Sequence, residues 1–265
     1  MLGLDDYRQL IDLDRPFRPA AEPAAPGRSG ELIARLRARD REHLRSLLTV
    51  RAPGPLPHTE AAVLDALLGG ERARRPAVDA AALPTVDGTR VIWLGDITTL
   101  RVDAVVNAAN SALLGCFRPS HRCVDNVIHA AAGPRLRADC HTIMSAQGGP
   151  EPTGAAKVTR GYHLPARYVL HTVGPIVDGV LGGAHREALA SSYRQCLDLA
   201  EAVGDIRSVA FCAVSTGLFG FPKAAAARIA LTTTADWLAE HPGVLDRVVF
   251  DVFSPDDLAV YQEEL

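Results

Sequence analysis

The sequence predicts an α/β protein with a largely buried sheet, and three observations carry that prediction. From about residue 88 onward, short β-branched runs alternate with helical stretches. The runs are apolar almost throughout, the pattern of strands covered on both faces. Polar or glycine-rich clusters follow several of them, at the strand ends where open parallel sheets bind ligands.

Strands are predicted at TRVIWL (89–94), AVVNA (104–108), YVLHTV (168–173), SVAFCAV (208–214) and RVVFDVF (247–253), with AKVTRG (156–161) a weaker sixth. Helices are predicted over 124–146, 184–203, 222–240 and 256–264. The N-terminal part has a different texture. Segment 16–29 (PFRPAAEPAAPGRS) is a Pro/Ala/Gly linker. It leads into a helix with Leu32, Ile33, Leu36, Leu44, Leu47 and Leu48 mostly on one face and Ser29 as its N-cap. APGPLP (52–57) ends that helix, and Thr59 caps a shorter one. The expected organisation is a helical extension over 1–85 and an α/β domain over 86–265.

Composition excludes several classes. Lys and Arg number 28 against 31 Asp and Glu, a net charge of −3, which argues against a protein built to neutralise nucleic acid. No apolar run approaches the ~20 residues of a membrane helix. MLGLDDYRQLIDLDRPF lacks the basic start and apolar run of a secretory signal. Five widely spaced cysteines fit free thiols in a reducing compartment. The expectation is a cytoplasmic protein with no nucleic-acid or membrane partner.

Four clusters sit at strand ends: Gly95-Asp96-Ile97, Asn107-Ala108-Ala109-Asn110, Ser215 to Pro222 (STGLFGFP), and Phe253-Ser254-Pro255. In the third, Gly217 and Gly220 permit close approach, and Pro222 suits the first turn of a helix. Such a loop offers backbone N–H groups to an anion such as a diphosphate, although an ordinary strand-to-helix turn has the same composition. Neither GxGxxG nor GxxxxGK[ST] occurs in the required context. Asp96 can accept from an exocyclic amine or a ribose hydroxyl, or cap the next turn. Asn107 and Asn110, separated by small residues, point to a polyol contact.

Cys116, His121 and Cys123 form C-x4-H-x-C, a soft donor set that favours zinc. A second ligand pair is absent, so the site either keeps an open position or takes a fourth ligand from Asp125, His129, Cys140 or His141. Two buried thiols and a surface histidine are the competing reading. Asp125 either caps the helix it opens or orients a water beside the metal. His129 reads as a packed helix histidine, His163 and His171 as structural, and Cys196 and Cys212 as core.

Together these segments resemble a macrodomain: GDIT (95–98), VVNAANSALLG (105–115), VDNVIHAAAGPRL (124–136), TGAAKVTRGYHLPARYVLHTVGP (153–175), STGLFGFP (215–222) and VVFDVFSPDDLAVY (248–261). The stretch CFRPSHRC replaces the glycine run common in hydrolytic members and resembles the zinc-containing microbial branch, which also carries an N-terminal helical extension. The resemblance implies a three-layer α/β/α sandwich with a mixed central sheet. It implies hydrolysis of mono-ADP-ribose from a modified protein, typically an ester of Asp or Glu. It assigns Asp96 and Ile97 to adenine, with Phe253 beside it, and the amides of Ser215, Thr216, Gly217, Leu218, Phe219 and Gly220 to the diphosphate. Phe219 and Asn110 fall to the distal ribose, Asp125 to the attacking water, and Cys116, His121 and Cys123 to zinc (Zn2+). Relatives in that branch are linked with a lipoyl-carrier protein and a sirtuin-like ADP-ribosyltransferase. The competing classes are an ADP-ribose reader without turnover, a hydrolase whose zinc is structural, and a phosphatase for ADP-ribose 1″-phosphate.

Overall fold

The computed structural model describes residues 2–19, 38–54 and 57–265. The predicted Ser29 cap, much of the linker and residues 30–37 lie outside them. Six strands form the main sheet: β2 (Arg90–Leu94), β4 (Ala104–Ala108), β5 (Ala156–Arg160), β6 (Tyr168–Thr172), β7 (Ser208–Phe211) and β8 (Arg247–Val252). Their spatial order is β2-β8-β7-β4-β6-β5. All neighbours are parallel except the antiparallel edge pair β5–β6, so the sheet is mixed. A separate two-residue ladder pairs β1 (Val78–Asp79) with β3 (Leu100–Arg101).

The sheet is buried because both faces are covered, as its apolar runs require. Helices α4 (Val124–Ala132) and α5 (Pro134–Gln147) lie on one face. Helices α6 (Gly183–Val203), α7 (Lys223–Glu240) and α8 (Pro255–Glu263) lie on the other, where Tyr193, Phe211, Phe250 and Tyr261 pack ring against ring. This is the expected three-layer α/β/α arrangement.

The single helix expected over 124–146 is two. Gly133, at φ 92° and ψ 175°, ends α4 and opens α5, and Pro134 takes the first helical position. A side chain at Gly133 would also collide with Leu68, its Cβ standing 2.6 Å from that residue's Cδ1.

Leu68 belongs to the extension, which comprises α1 (Leu4–Ile11), α2 (Ala38–Val50) and α3 (His58–Arg74). Helix α3 begins at His58 with Pro57 at its N-cap, so Thr59 lies inside the first turn and not at the cap. Helix α1 was not foreseen; Tyr7, Ile11 and the following Leu13 join the main core. Buried polar contacts bind the extension to the domain. Asp65 pairs with Arg135 and with His163 Nε2 at 3.0 Å. Arg137 Nη1 donates to the carbonyls of Leu48 (3.1 Å) and Arg51 (2.6 Å). Among the described residues no helix is long and apolar enough to cross a membrane.

Candidate active site

Parallel strands put their carboxyl ends on one edge, so the sheet order sets the order of the loops that follow. Along that edge come Asp96 after β2, Phe253 after β8, Ser215–Gly220 after β7, and Asn110 with the Cys/His/Cys loop after β4. Three strand spacings separate the ends of this row, about 14 Å at ~4.8 Å each.

At the first position, the Asp96 carboxylate caps a short 3₁₀ turn. Its Oδ1 accepts from Thr98 N (3.0 Å) and Thr98 Oγ1 (2.6 Å), and its Oδ2 accepts from Arg75 Nη2 (2.5 Å). Ile97 is buried beneath it, while Phe253 stands 82% exposed. Asp251, on β8, is buried with an unpartnered Oδ1. Burial, reinforced by the charge of Asp96, pushes its carboxyl up to about 8. In the unfolded chain the same group ionises near its usual 3.8. Between these values the folded protein holds the extra proton, so stability falls as pH rises through the window and levels off above it. Asp251→Asn is expected to remove that dependence. Denaturant unfolding across the window should show variant and parent diverging by up to about 1.4 kcal/mol per pH unit.

The loop after β7 turns on Ser215, a non-glycine residue at φ 65°. That conformation costs on the order of 1–2 kcal/mol and is held from both sides. Phe221 N donates to Ser215 O (3.0 Å), Gly220 N to Gly217 O (3.0 Å) and Val177 N to Phe219 O (2.8 Å). A Cβ on Gly174 would lie 2.0 Å from Ser215 Oγ and 2.7 Å from Val214 Cγ1, so a side chain there would displace both. Among the described residues nothing accepts from the amides of Ser215, Thr216, Gly217, Leu218 and Phe219. Leu218 is exposed, Phe219 half-buried, and Ser215 Oγ is buried without a partner.

At the last position, the half-buried Asn110 organises its own loop. Its Oδ1 accepts from Ala112 N (3.0 Å) and its Nδ2 donates to Gly115 O (3.1 Å). Asn107 differs from expectation. It is fully enclosed and offers no surface to a polyol; its Nδ2 donates to Asp125 Oδ1 (2.8 Å) and approaches His171 Nδ1 (3.2 Å). Register explains this, since Asn107 on β4 stands opposite His171 on β6 and both face α4 and α5. Asp125 does not cap α4. Cys123 is the N-cap, its Sγ accepting from Asn126 N, and Asp125 sits in the first turn. Burial pushes the Asp125 carboxyl up to about 6, against the pull of the Asn107 hydrogen bond and the Arg137 charge.

The three predicted metal ligands come together. One donor atom from each of Cys116, His121 and Cys123 lies within 4.8 Å of the others, and Cys116 Sγ stands 3.2 Å from His121 Nδ1. None of the four candidate fourth ligands joins this group. Burial, with Asp125 and Cys116 beside it, pushes the Cys123 thiol up to about 11. Asn126, missed in the sequence, holds the loop: its Nδ2 donates to the carbonyls of Arg118 and His121, each at 2.8 Å.

His129, Cys140 and His171 form a second close group, fully buried. Its hydrogen bonds speak against a metal there. Asn107 donates to His171 Nδ1, so Nε2 carries the proton and donates to Thr159 Oγ1 (2.8 Å), leaving no lone pair for an ion. Burial holds both histidines neutral, His171 down to about 3. His129 Nε2 lies 3.5 Å from Asp125 Oδ1. A cleft of about 1070 Å³ lies between the extension and α4; of the predicted site residues only Asp96 and His121 line it.

This fold and row of loops define an α/β protein whose candidate site runs across the carboxyl ends of its parallel strands. A family model described as Macro domain matches residues 106–230. The protein-ADP-ribose hydrolase of Treponema medium is 46% identical over 224 residues, covering 83% of this chain and 85% of that protein. Its counterpart in Staphylococcus aureus (strain MSSA476) is 44% identical over 224 residues, covering 84% and 83%. Among solved structures, the Trypanosoma brucei macrodomain in complex with ADP-ribose superposes with a TM-score of 0.64 at 34% identity, covering 83% of this chain and 94% of that one. The chain belongs to the macro domain family.

Proposed function

We propose that this protein is a zinc-dependent mono-ADP-ribosyl hydrolase that removes ADP-ribose from modified Asp or Glu side chains of proteins. One observation carries the reading: the loops after β2, β8, β7 and β4, to which the resemblance assigns base, diphosphate, and ribose with metal, lie side by side in that order along one sheet edge. The names of the similar proteins and the ADP-ribose in the trypanosomal macrodomain support it. In this reading Asp96 accepts from the adenine amine, with Ile97 and Phe253 lining the base. The five free amides of Ser215–Phe219, with Gly220 shaping the turn, receive the diphosphate. Asn110 and Phe219 meet the distal ribose. Asp125, oriented by Asn107, takes a proton from the attacking water. No covalent nucleophile is required.

The donor chemistry of Cys116, His121 and Cys123 fits zinc. When bound, zinc supplies Lewis acidity at the ribose end. The lipoyl-carrier protein and sirtuin-like transferase implied by the resemblance would enter as substrate and as source of the modification. A reader without turnover is favoured by one observation, that Asp125 is only 4% exposed. The deciding experiment follows ADP-ribose release from an Asp/Glu-modified protein while binding of free ADP-ribose is measured in parallel. Release with binding is expected; binding without release leaves the reader, or an enzyme for another bond.

A further inference from the structure

We infer that Arg75, at the end of the helical extension, is a specificity-determining residue for the nucleobase. It holds the Asp96 carboxylate so that one acceptor position faces an exocyclic amine. The inference rests on the reading of Asp96 as the base contact and names what sets its selectivity.

Helix α3 ends at Arg74. Arg75 leaves it in extended conformation (φ −94°, ψ 123°), its N–H donating to Arg72 O at 3.2 Å. The chain then enters β1, which pairs with β3, and β3 directly follows the turn that Asp96 caps. The backbones carrying Arg75 and Asp96 are thus clamped together by the Val78–Leu100 and Asp79–Arg101 pairs.

On this frame the guanidinium bridges two atoms. Nη2 meets Asp96 Oδ2 at 2.5 Å and Nη1 donates to Thr98 Oγ1 at 3.3 Å. Thr98 fills both lone pairs of Asp96 Oδ1 through its N–H and hydroxyl. Oδ2, taken once by Arg75, keeps one acceptor position. Both side chains are partly open to solvent, 44% for Arg75 and 36% for Asp96. An ion pair this exposed adds little to stability, so orientation is what the contact supplies. Asp251, across on β8, is buried, and burial pushes its carboxyl up to about 8.

A carboxylate oxygen accepts from an amine and repels an oxo group. Adenine and hypoxanthine differ in that respect, and discrimination needs an acceptor fixed in direction. Arg75 fixes it through a planar two-nitrogen fork that lysine lacks.

The test is calorimetric titration of the full chain with ADP-ribose and with inosine diphosphate ribose. The parent should favour the adenine ligand by about tenfold or more, the worth of one hydrogen bond to a charged group. Arg75→Ala should cut that ratio by at least about fivefold. Arg75→Lys, which keeps the charge, should cut it nearly as far, with melting temperatures unchanged. Asp96→Asn, which gains a donor, should abolish or reverse the preference. An unchanged ratio in Arg75→Ala overturns the inference, including the case where both ligands weaken equally, because that marks a charge effect alone. A parent that binds ADP-ribose without preferring it overturns the inference only. A parent that binds neither ligand overturns the functional reading as well.

Discussion

Asp125→Ala is expected to lower kcat for ADP-ribose release by about 10² to 10⁴-fold, the range spanned by positioned general bases. Affinity for free ADP-ribose should change little, because the contacts assigned to base and diphosphate lie on other strands. Asp125 is suited to hold a proton: it is buried, its Oδ1 accepts from Asn107 at 2.8 Å, and its carboxyl is pushed up to about 6. It is therefore a stronger base than an exposed aspartate, yet largely ionised at neutral pH. The variant should fold, since Asn107 remains beside His171 when the carboxylate is removed. Asp125→Asn keeps the shape and removes the charge, so an equal loss there assigns the effect to the charge. Single-turnover release and ADP-ribose titration, on the same preparations, separate kcat from binding. Turnover within about tenfold of the parent in both variants would remove Asp125 from the reaction.

Much of this site was legible because the chemistry lies in short segments tied to strand ends. The runs VIWL, VVNA, VLHT, VAF and VVFDV form strands where their apolar patterns place them, and parallel pairing gathers the loops after four of them. The Cys/His/Cys group was legible because eight residues of chain suffice to bring it together. Long-range relations were hidden. Asn107 read as a ligand contact because its place at a strand end was visible, whereas its register opposite His171, 64 residues away, was not. The break at Gly133 was masked by apolar residues continuing on both sides, although Gly-Pro was a usable signal. Helix α1 is only eight residues long, so its stability comes from docking and not from propensity. The Arg75–Asp96 pair joins residues 21 positions apart and depends on how the extension docks, which the sequence does not disclose.

Removing the proposed metal ligands should produce the second large effect, and Cys116→Ala is a cleaner probe than Cys123→Ala. Cys123 also caps α4 through its Sγ, so its loss adds a helix penalty of about 1 kcal/mol that has nothing to do with a metal. Cys116→Ala is expected to reduce zinc from about one ion per chain to near zero and to abolish release, as chelation of the parent should. Restoring zinc should rescue the chelated parent and not the variant. The fold should survive, because Asn126 ties the loop to α4 through the Arg118 and His121 carbonyls without involving a ligand atom. Metal uptake should tighten as pH rises. The metal-free Cys123 thiol holds its proton up to about 11, and zinc must displace it. Elemental analysis, melting temperature and ADP-ribose titration, made with the activity assay, distinguish the roles. Lost release with intact fold and binding assigns zinc to the reaction. Unfolding on chelation makes it structural, and full release after chelation returns the reaction to Asp125 and the protein alone.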